Sequence, residues 1–212
     1  MKVSVSILSS SIKPADIVKK LDNTKADYIH IDIMDGKFVE NKTWTISEIK
    51  KITSYSKLPL DVHLMVENPS KYIEDYALLN TSYIAFHYEA VKDIDKMINE
   101  IKNYGLKVGI AINPETSEEV VFPYLSKIDE VLIMSVHPGK SGQSFIENTP
   151  DKIERLKEEI LRQNVKTIIS VDGGINDETG ELCVQKGVDT LVSASYIHKD
   201  IVNNINTLKK LA

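Results

Sequence analysis

Tyr28-Ile29-His30-Ile31-Asp32-Ile33-Met34 is the stretch on which the reading of this chain turns. It is rich in isoleucine and reads as a β-strand. Strand side chains alternate between faces, so His30, Asp32 and Met34 share one face. The pattern returns in Leu60-Asp61-Val62-His63-Leu64-Met65, where His63 shares its face with Asp61 and Met65. A third run, Thr167-Ile168-Ile169-Ser170-Val171, ends at Asp172 and leads into Gly173-Gly174. Two histidines and two carboxylates on strands of this kind suit a divalent metal ion with two built-in bases.

Working outward, a rhythm repeats roughly every 26 residues: a short β-branched run, a polar turn, then a helical pattern. Strands are expected near 3–8, 28–34, 60–65, 83–87, 107–112, 130–135, 167–171 and 190–193. Helical stretches fall between them, among them Pro14 to Asn23, Ser70 to Leu79, Asp93 to Tyr104, Pro150 to Arg162 and Ile201 to Leu211. Asn68-Pro69-Ser70 and Thr149-Pro150 place a polar cap and an early proline at helix starts. Gly105 and Gly187 stand just past helix ends, where a left-handed residue is needed. Strands alternating with helices imply right-handed parallel crossovers, and eight such units imply a closed (β/α)8 TIM barrel spanning residues 1–212 as a single domain. An open doubly wound sheet is the rival, but Ser9-Ser10-Ser11 follows the first strand in place of a glycine-rich dinucleotide loop.

In such a barrel the chemistry sits at the C-terminal strand ends. His30, Asp32, His63, His87, His137 and Asp172 all fall at or just past those ends. His87 and His137 are open candidates for substrate contact, and His198 reads as a solvated or capping residue. Burying His30, Asp32, His63 and Asp172 together without partners would cost several kcal/mol. A bound cation or a dense hydrogen-bond network must offset that; the alternative is a metal-free polar plug. Three glycine or serine loops share the same rim: Pro138-Gly139-Lys140-Ser141-Gly142-Gln143, Asp172-Gly173-Gly174 and Ser193-Ala194-Ser195. Each alone reads as a tight turn, whereas together they favour a phosphate ester. Met34, Met65 and Met134 near strand ends suit an apolar lid over a planar intermediate.

Composition narrows the remaining classes. The chain has 212 residues, 42% of them hydrophobic, and a formal net charge of -5. No basic stripe suggests a nucleic-acid partner. No apolar run approaches the roughly 18 residues that span a bilayer. Cys183 is the single cysteine, so no intrachain disulfide forms, and it reads as a core residue. A cytoplasmic address is the default, and a homo-oligomer is expected on base rates alone.

Five blocks carry a family resemblance. Ser6-Ile7-Leu8-Ser9, His30-Ile31-Asp32-Ile33-Met34-Asp35-Gly36-Lys37-Phe38-Val39, Asp61-Val62-His63-Leu64-Met65-Val66, Pro138-Gly139-Lys140-Ser141-Gly142-Gln143-Ser144-Phe145 and Val171-Asp172-Gly173-Gly174 resemble ribulose-phosphate 3-epimerases, in order and at compatible spacing. The resemblance implies a (β/α)8 barrel with one divalent metal ion held by His30, Asp32, His63 and Asp172. It implies Asp32 and Asp172 as the acid/base pair. Ser6 and His63 would touch the sugar. Gly139, Lys140, Ser141, Gly142, Asp172, Gly173, Gly174, Ala194 and Ser195 would hold substrate and phosphate, and Met34, Met65 and Met134 would surround the intermediate.

The chain departs from the family pattern in several places. Val5 replaces a proline, Ser10-Ser11 replace a small residue and an aspartate, and Glu40 replaces a proline. Thr43-Trp44-Thr45-Ile46-Ser47 lacks a usual glycine, Lys140-Ser141 stand for an aromatic and a glycine, and Ala194 replaces a glycine. The implied reaction is inversion at C3 of D-ribulose 5-phosphate to D-xylulose 5-phosphate by two-base proton transfer through an enediolate. Epimerisation of a six-carbon ketose phosphate such as D-allulose 6-phosphate is the alternative. A non-catalytic sugar-phosphate binder is a different class. A metal-dependent hydrolase is disfavoured, because such barrels carry H-x-H on the first strand and this chain carries H-x-D on the second. Two imidazoles and two carboxylates suit zinc, and also iron, manganese or cobalt.

Overall fold

The computed structural model describes residues 1–8 and 12–211. The Ser9-Ser10-Ser11 turn lies outside them. Eight parallel strands close in chain order into one barrel: β1 (Lys2–Ser6), β2 (Tyr28–Met34), β3 (Leu60–Met65), β4 (Thr81–His87), β5 (Lys107–Ile112), β6 (Glu130–Met134), β7 (Ile168–Asp172) and β8 (Thr190–Ser193). β1 closes on β8 through Lys2 beside Thr190 and Val3 beside Leu191. The TIM barrel expected from the strand–helix rhythm is therefore the fold.

Helices α1 (Pro14–Leu21), α2 (Ile46–Thr53), α3 (Ser70–Ala77), α4 (Ile94–Asn103), α5 (Thr149–Gln163), α6 (Asp177–Gln185), α7 (Ser195–Lys199) and α8 (Ile201–Lys209) follow their strands. The β5–β6 crossover is instead a 3-10 segment, Glu118–Lys127, with Pro123 inside it. Proline lacks the N–H that an α-helical ladder would need there.

Alternation along each strand separates two interiors. Outward residues such as Val3, Ile29, Ile31, Val62, Leu64 and Phe86 are buried against the helices in the main core. Inward residues form a smaller apolar cluster of Ala85, Ala111, Leu132 and Val192. Around that cluster the barrel interior is polar, with Ser4, His30, Asp61, Glu130, Ser170 and Thr190 all buried. Space is tight here: a Cβ on Gly109 would lie 2.8 Å from both Ala85 Cβ and Glu130 Oε2.

The helix ends partly follow the sequence reading. Gly105 and Gly187 adopt left-handed φ of 73° and 98°. The expected polar side-chain caps at α3 and α5 do not form, since neither Pro69 nor Asn148 makes a side-chain cap bond. At α3 a backbone carbonyl, that of Asn68, accepts from Lys71 N–H instead. Within Thr43-Trp44-Thr45-Ile46-Ser47, Thr45 forms a capping box with Glu48 that starts α2.

Candidate active site and metal centre

Register assembles the site. β2 and β3 pair so that Asp32 stands beside His63, His30 beside Asp61, and Met34 beside Met65. β6 and β7 place Met134 beside Asp172. β2 and β7 lie three strands apart around the closed sheet, so Asp32 and Asp172 approach from different sides of the barrel.

His30 Nε2 lies 3.4 Å from Asp32 Oδ1 and 3.6 Å from Asp172 Oδ2. His63 Nδ1 lies 3.3 Å and 3.7 Å from the same two oxygens. One donor atom from each of the four residues falls within 4.8 Å of all the others. Donors held roughly 2.0–2.1 Å from one tetrahedral cation stand about 3.3–3.4 Å apart, close to these separations. His30 Nε2 is buried without a hydrogen-bond partner, an expense that a cation would remove. Donor type, spacing and the orphaned nitrogen all fit a divalent ion.

A second layer of side chains orients three of the four. Ser6 donates its hydroxyl to Asp32 Oδ2 at 2.7 Å, which leaves Oδ1 facing the other three residues. His30 Nδ1 lies 2.8 Å from Asp61 Oδ2, and Ser4 donates to the same oxygen at 2.7 Å. His63 Nε2 lies 2.8 Å from His87 Nε2.

The protein divides charge unevenly here. Burial, helped by the neighbouring Asp32 charge, raises Asp172 to about 7. Burial also pushes Asp32 upward, but the positive charge of His30 and the contact with His63 Nδ1 outweigh it, and its carboxyl sits far below the usual range. For His30, burial acts downward and is outweighed by Asp61 and Asp32, leaving the imidazole well above its ordinary value. Burial holds His63 down and takes His87 to about 4. The two carboxyls of the site are thus shifted in opposite directions, the pattern of an acid and a base.

Above the four residues opens a cavity at the mouth of the barrel. Asp32 and Asp172 reach its floor, and Asp172 keeps 16% of its side chain exposed there. Met34, Met65 and Met134 form an apolar shoulder. Ser6, Gly139, Lys140, Ser141, Gly142, Gly173, Gly174, Ala194 and Ser195 line the rest with Val136, Ile175 and Val192. Gly173 has a φ of 122°, and a Cβ there would lie 2.4 Å from Val136 Cγ2. Only glycine lets the β7 end pass that close.

A family model, that of the ribulose-phosphate 3 epimerase family, matches residues 2–198. This chain belongs to the ribulose-phosphate 3-epimerase family. The ribulose-phosphate 3-epimerase of Helicobacter pylori is 40% identical, over 94% of this chain and 91% of that protein. The protein of that name from Methanocaldococcus jannaschii is 39% identical over 100% and 91%, and that from Bacillus subtilis 37% identical over 93% and 92%. Among solved structures, KGPDC from Streptococcus mutans superposes with a TM-score of 0.69 at 13% identity, covering 99% of this chain and 96% of that one. Thiamine phosphate pyrophosphorylase from Pyrococcus furiosus gives a TM-score of 0.66 at 17% identity, covering 99% and 94%. At those identities the likeness is one of fold.

Membership of the epimerase family frames the remaining residues. Ala194 has a φ of -117°, so its side chain is accommodated without left-handed backbone. His63 differs from the other residues expected at substrate: its side chain has no exposed surface and does not line the cavity. His87 is fully buried behind His63 and away from the cavity wall. His137 is exposed and pairs with Glu115 at 3.0 Å. His198 corrects the solvated or capping expectation, because its Nε2 lies 2.8 Å from the Ser6 carbonyl and ties α7 to β1. Asp200 is the residue that caps α8, accepting from Asn203 N–H. Of the second layer, Ser4 and Asp61 were not singled out as functional in the sequence, and His87 was expected as a candidate substrate contact rather than as a partner of His63. Asp61 shares the His63 face, but its bond to His30 depends on strand register.

Proposed function

We propose that the chain, acting as one catalytic domain, interconverts D-ribulose 5-phosphate and D-xylulose 5-phosphate by inversion at C3. The observation that carries the reading is the meeting of Asp32 and Asp172, from separate sides of the barrel, at one donor cluster on a pocket floor. His30, Asp32, His63 and Asp172 would hold a divalent ion, for which zinc, iron, manganese or cobalt is suited. When bound, such an ion supplies charge stabilisation for an enediolate.

One aspartate takes the C3 proton and the other delivers a proton to the opposite face. They must begin in opposite protonation states, which the depressed Asp32 and raised Asp172 support. Their roles exchange with reaction direction, so the pair titrates as a unit. Ser6 holds the Asp32 carboxylate in position. Met34, Met65 and Met134 exclude water from the reacting carbons. The amides of Gly139 to Gly142, Gly173 to Gly174 and Ala194 to Ser195, with the Lys140 ammonium, receive the phosphate. His63, being fully covered, serves as a ligand rather than as a sugar contact in this scheme.

The test is proton NMR in D2O with each sugar phosphate in turn. We expect deuterium to enter C3 as D-ribulose 5-phosphate converts, with a higher kcat/KM than for D-allulose 6-phosphate. A reversed preference moves the assignment to the hexose substrate. Binding of both sugars without exchange makes the protein a binder and ends the catalytic reading.

A further inference from the structure

We propose that Glu89 and His87 are positioning residues: a chain from Glu89 at the surface through buried His87 to His63 favours the tautomer in which His63 Nδ1 binds a cation. The inference rests on the metal-centre reading above.

The chain runs in one direction. Glu89 Oε1 accepts from Asn113 N–H at 2.8 Å and from the Thr116 hydroxyl. Its other oxygen, Oε2, lies 3.2 Å from His87 Nδ1. An ionised carboxylate offers no proton, so the hydrogen in that contact belongs to His87 Nδ1. His87 is fully buried, which disfavours a second proton on its ring. Its Nε2 therefore presents a lone pair, 2.8 Å from His63 Nε2. The ring centroids are 5.0 Å apart, which sets the two imidazoles edge to edge along the N···N line. Phe38 packs over His87, its ring centroid 4.7 Å away, and restricts rotation of that ring. With His87 Nε2 unprotonated, His63 places its hydrogen on Nε2 once a cation replaces the Nδ1 contact with Asp32 Oδ1, 3.3 Å away, and Nδ1 then points at that cation between Asp32 and Asp172. Asp61 does for His30 directly what Glu89 does for His63 through one intervening ring.

Imidazole 15N NMR of the zinc-loaded protein reads the tautomers. The expected result is His87 protonated on Nδ1 alone and His63 protonated on Nε2. Zinc affinity, measured against a chromophoric chelator, supplies a second readout that needs no substrate. His87→Leu should weaken zinc binding by about 10- to 100-fold, the usual effect of losing such a partner. His87→Gln should stay within about threefold, because its amide can accept from His63 and donate to Glu89. If His87 merely fills space, the order reverses and Leu outperforms Gln. That reversal, or a His87 ring protonated on Nε2, would overturn the proposal even if Leu fails to fold. Absence of zinc binding by the unmutated protein would instead remove the metal centre itself, and this inference with it.

Discussion

Glu130 should make the protein lose stability as pH rises, and Glu130→Gln should abolish that loss. The side chain projects into the barrel and is 2% exposed. One oxygen accepts from the Ser170 hydroxyl, while Oε2 is buried without a partner. Burial, with the Asp61 charge adding to it, raises the carboxyl from 4.5 to about 8. Below pH 4.5 folded and unfolded chains both hold the proton, so the group contributes no difference. Between about 4.5 and 8 the unfolded chain releases the proton and the folded chain keeps it, and stability falls with rising pH. Above about 8 both release it and the loss levels off. At about 1.4 kcal/mol per pH unit, the group costs roughly 4 kcal/mol between pH 5 and pH 9. Urea unfolding of both proteins at several pH values isolates this term, because every other titrating group is shared. The stability of Glu130→Gln relative to the parent should rise by a few kcal/mol over that interval. A difference that stays flat with pH would show that Glu130 is not held neutral in the folded barrel.

Three further outcomes are expected. Gly173→Ala combines a left-handed backbone, about 1–2 kcal/mol, with overpacking against Val136, about 1–3 kcal/mol; calorimetry should show a lower Tm, and an unchanged Tm would contradict the close approach. Asp172→Asn should slow C3 proton exchange by roughly 10²-fold or more while phosphate binding persists; NMR exchange and titration calorimetry check the two parts, and near-normal exchange would count against two-base transfer. Adding zinc at about 100 times its dissociation constant should stabilise the chelator-treated protein by about 2.7 kcal/mol, read as a Tm shift, whereas an unmoved Tm would argue against the four-residue cage.

Much of this architecture was legible because it depends on local periodicity. The run Tyr28–Met34 shows its two-residue alternation without any partner strand, so His30 and Asp32 could be put on one face directly. Asp61-Val62-His63-Leu64-Met65 yields to the same reasoning, and the glycines after β6 and β7 announce backbone that other residues rarely adopt. Helix caps were less legible. At α3 and α5 the expected side-chain caps are missing, and at α3 a backbone carbonyl does the work. The role of His198 also escaped, since its partner is the Ser6 carbonyl, 192 residues away.

The order of residues along the chain determined the eight-fold strand–helix alternation, the faces on which the metal-type donors lie, and the glycine-rich loops after the strands. Barrel closure alone decided which of those donors meet. Side-chain periodicity is a property of one strand, whereas the separations of 3.3–3.7 Å among His30, Asp32, His63 and Asp172 depend on how strands are staggered against one another. The same stagger buries His87 behind His63, sets Asp61 beside His30, and traps Glu130 next to Gly109, because packing across the interior is fixed only once β8 closes on β1.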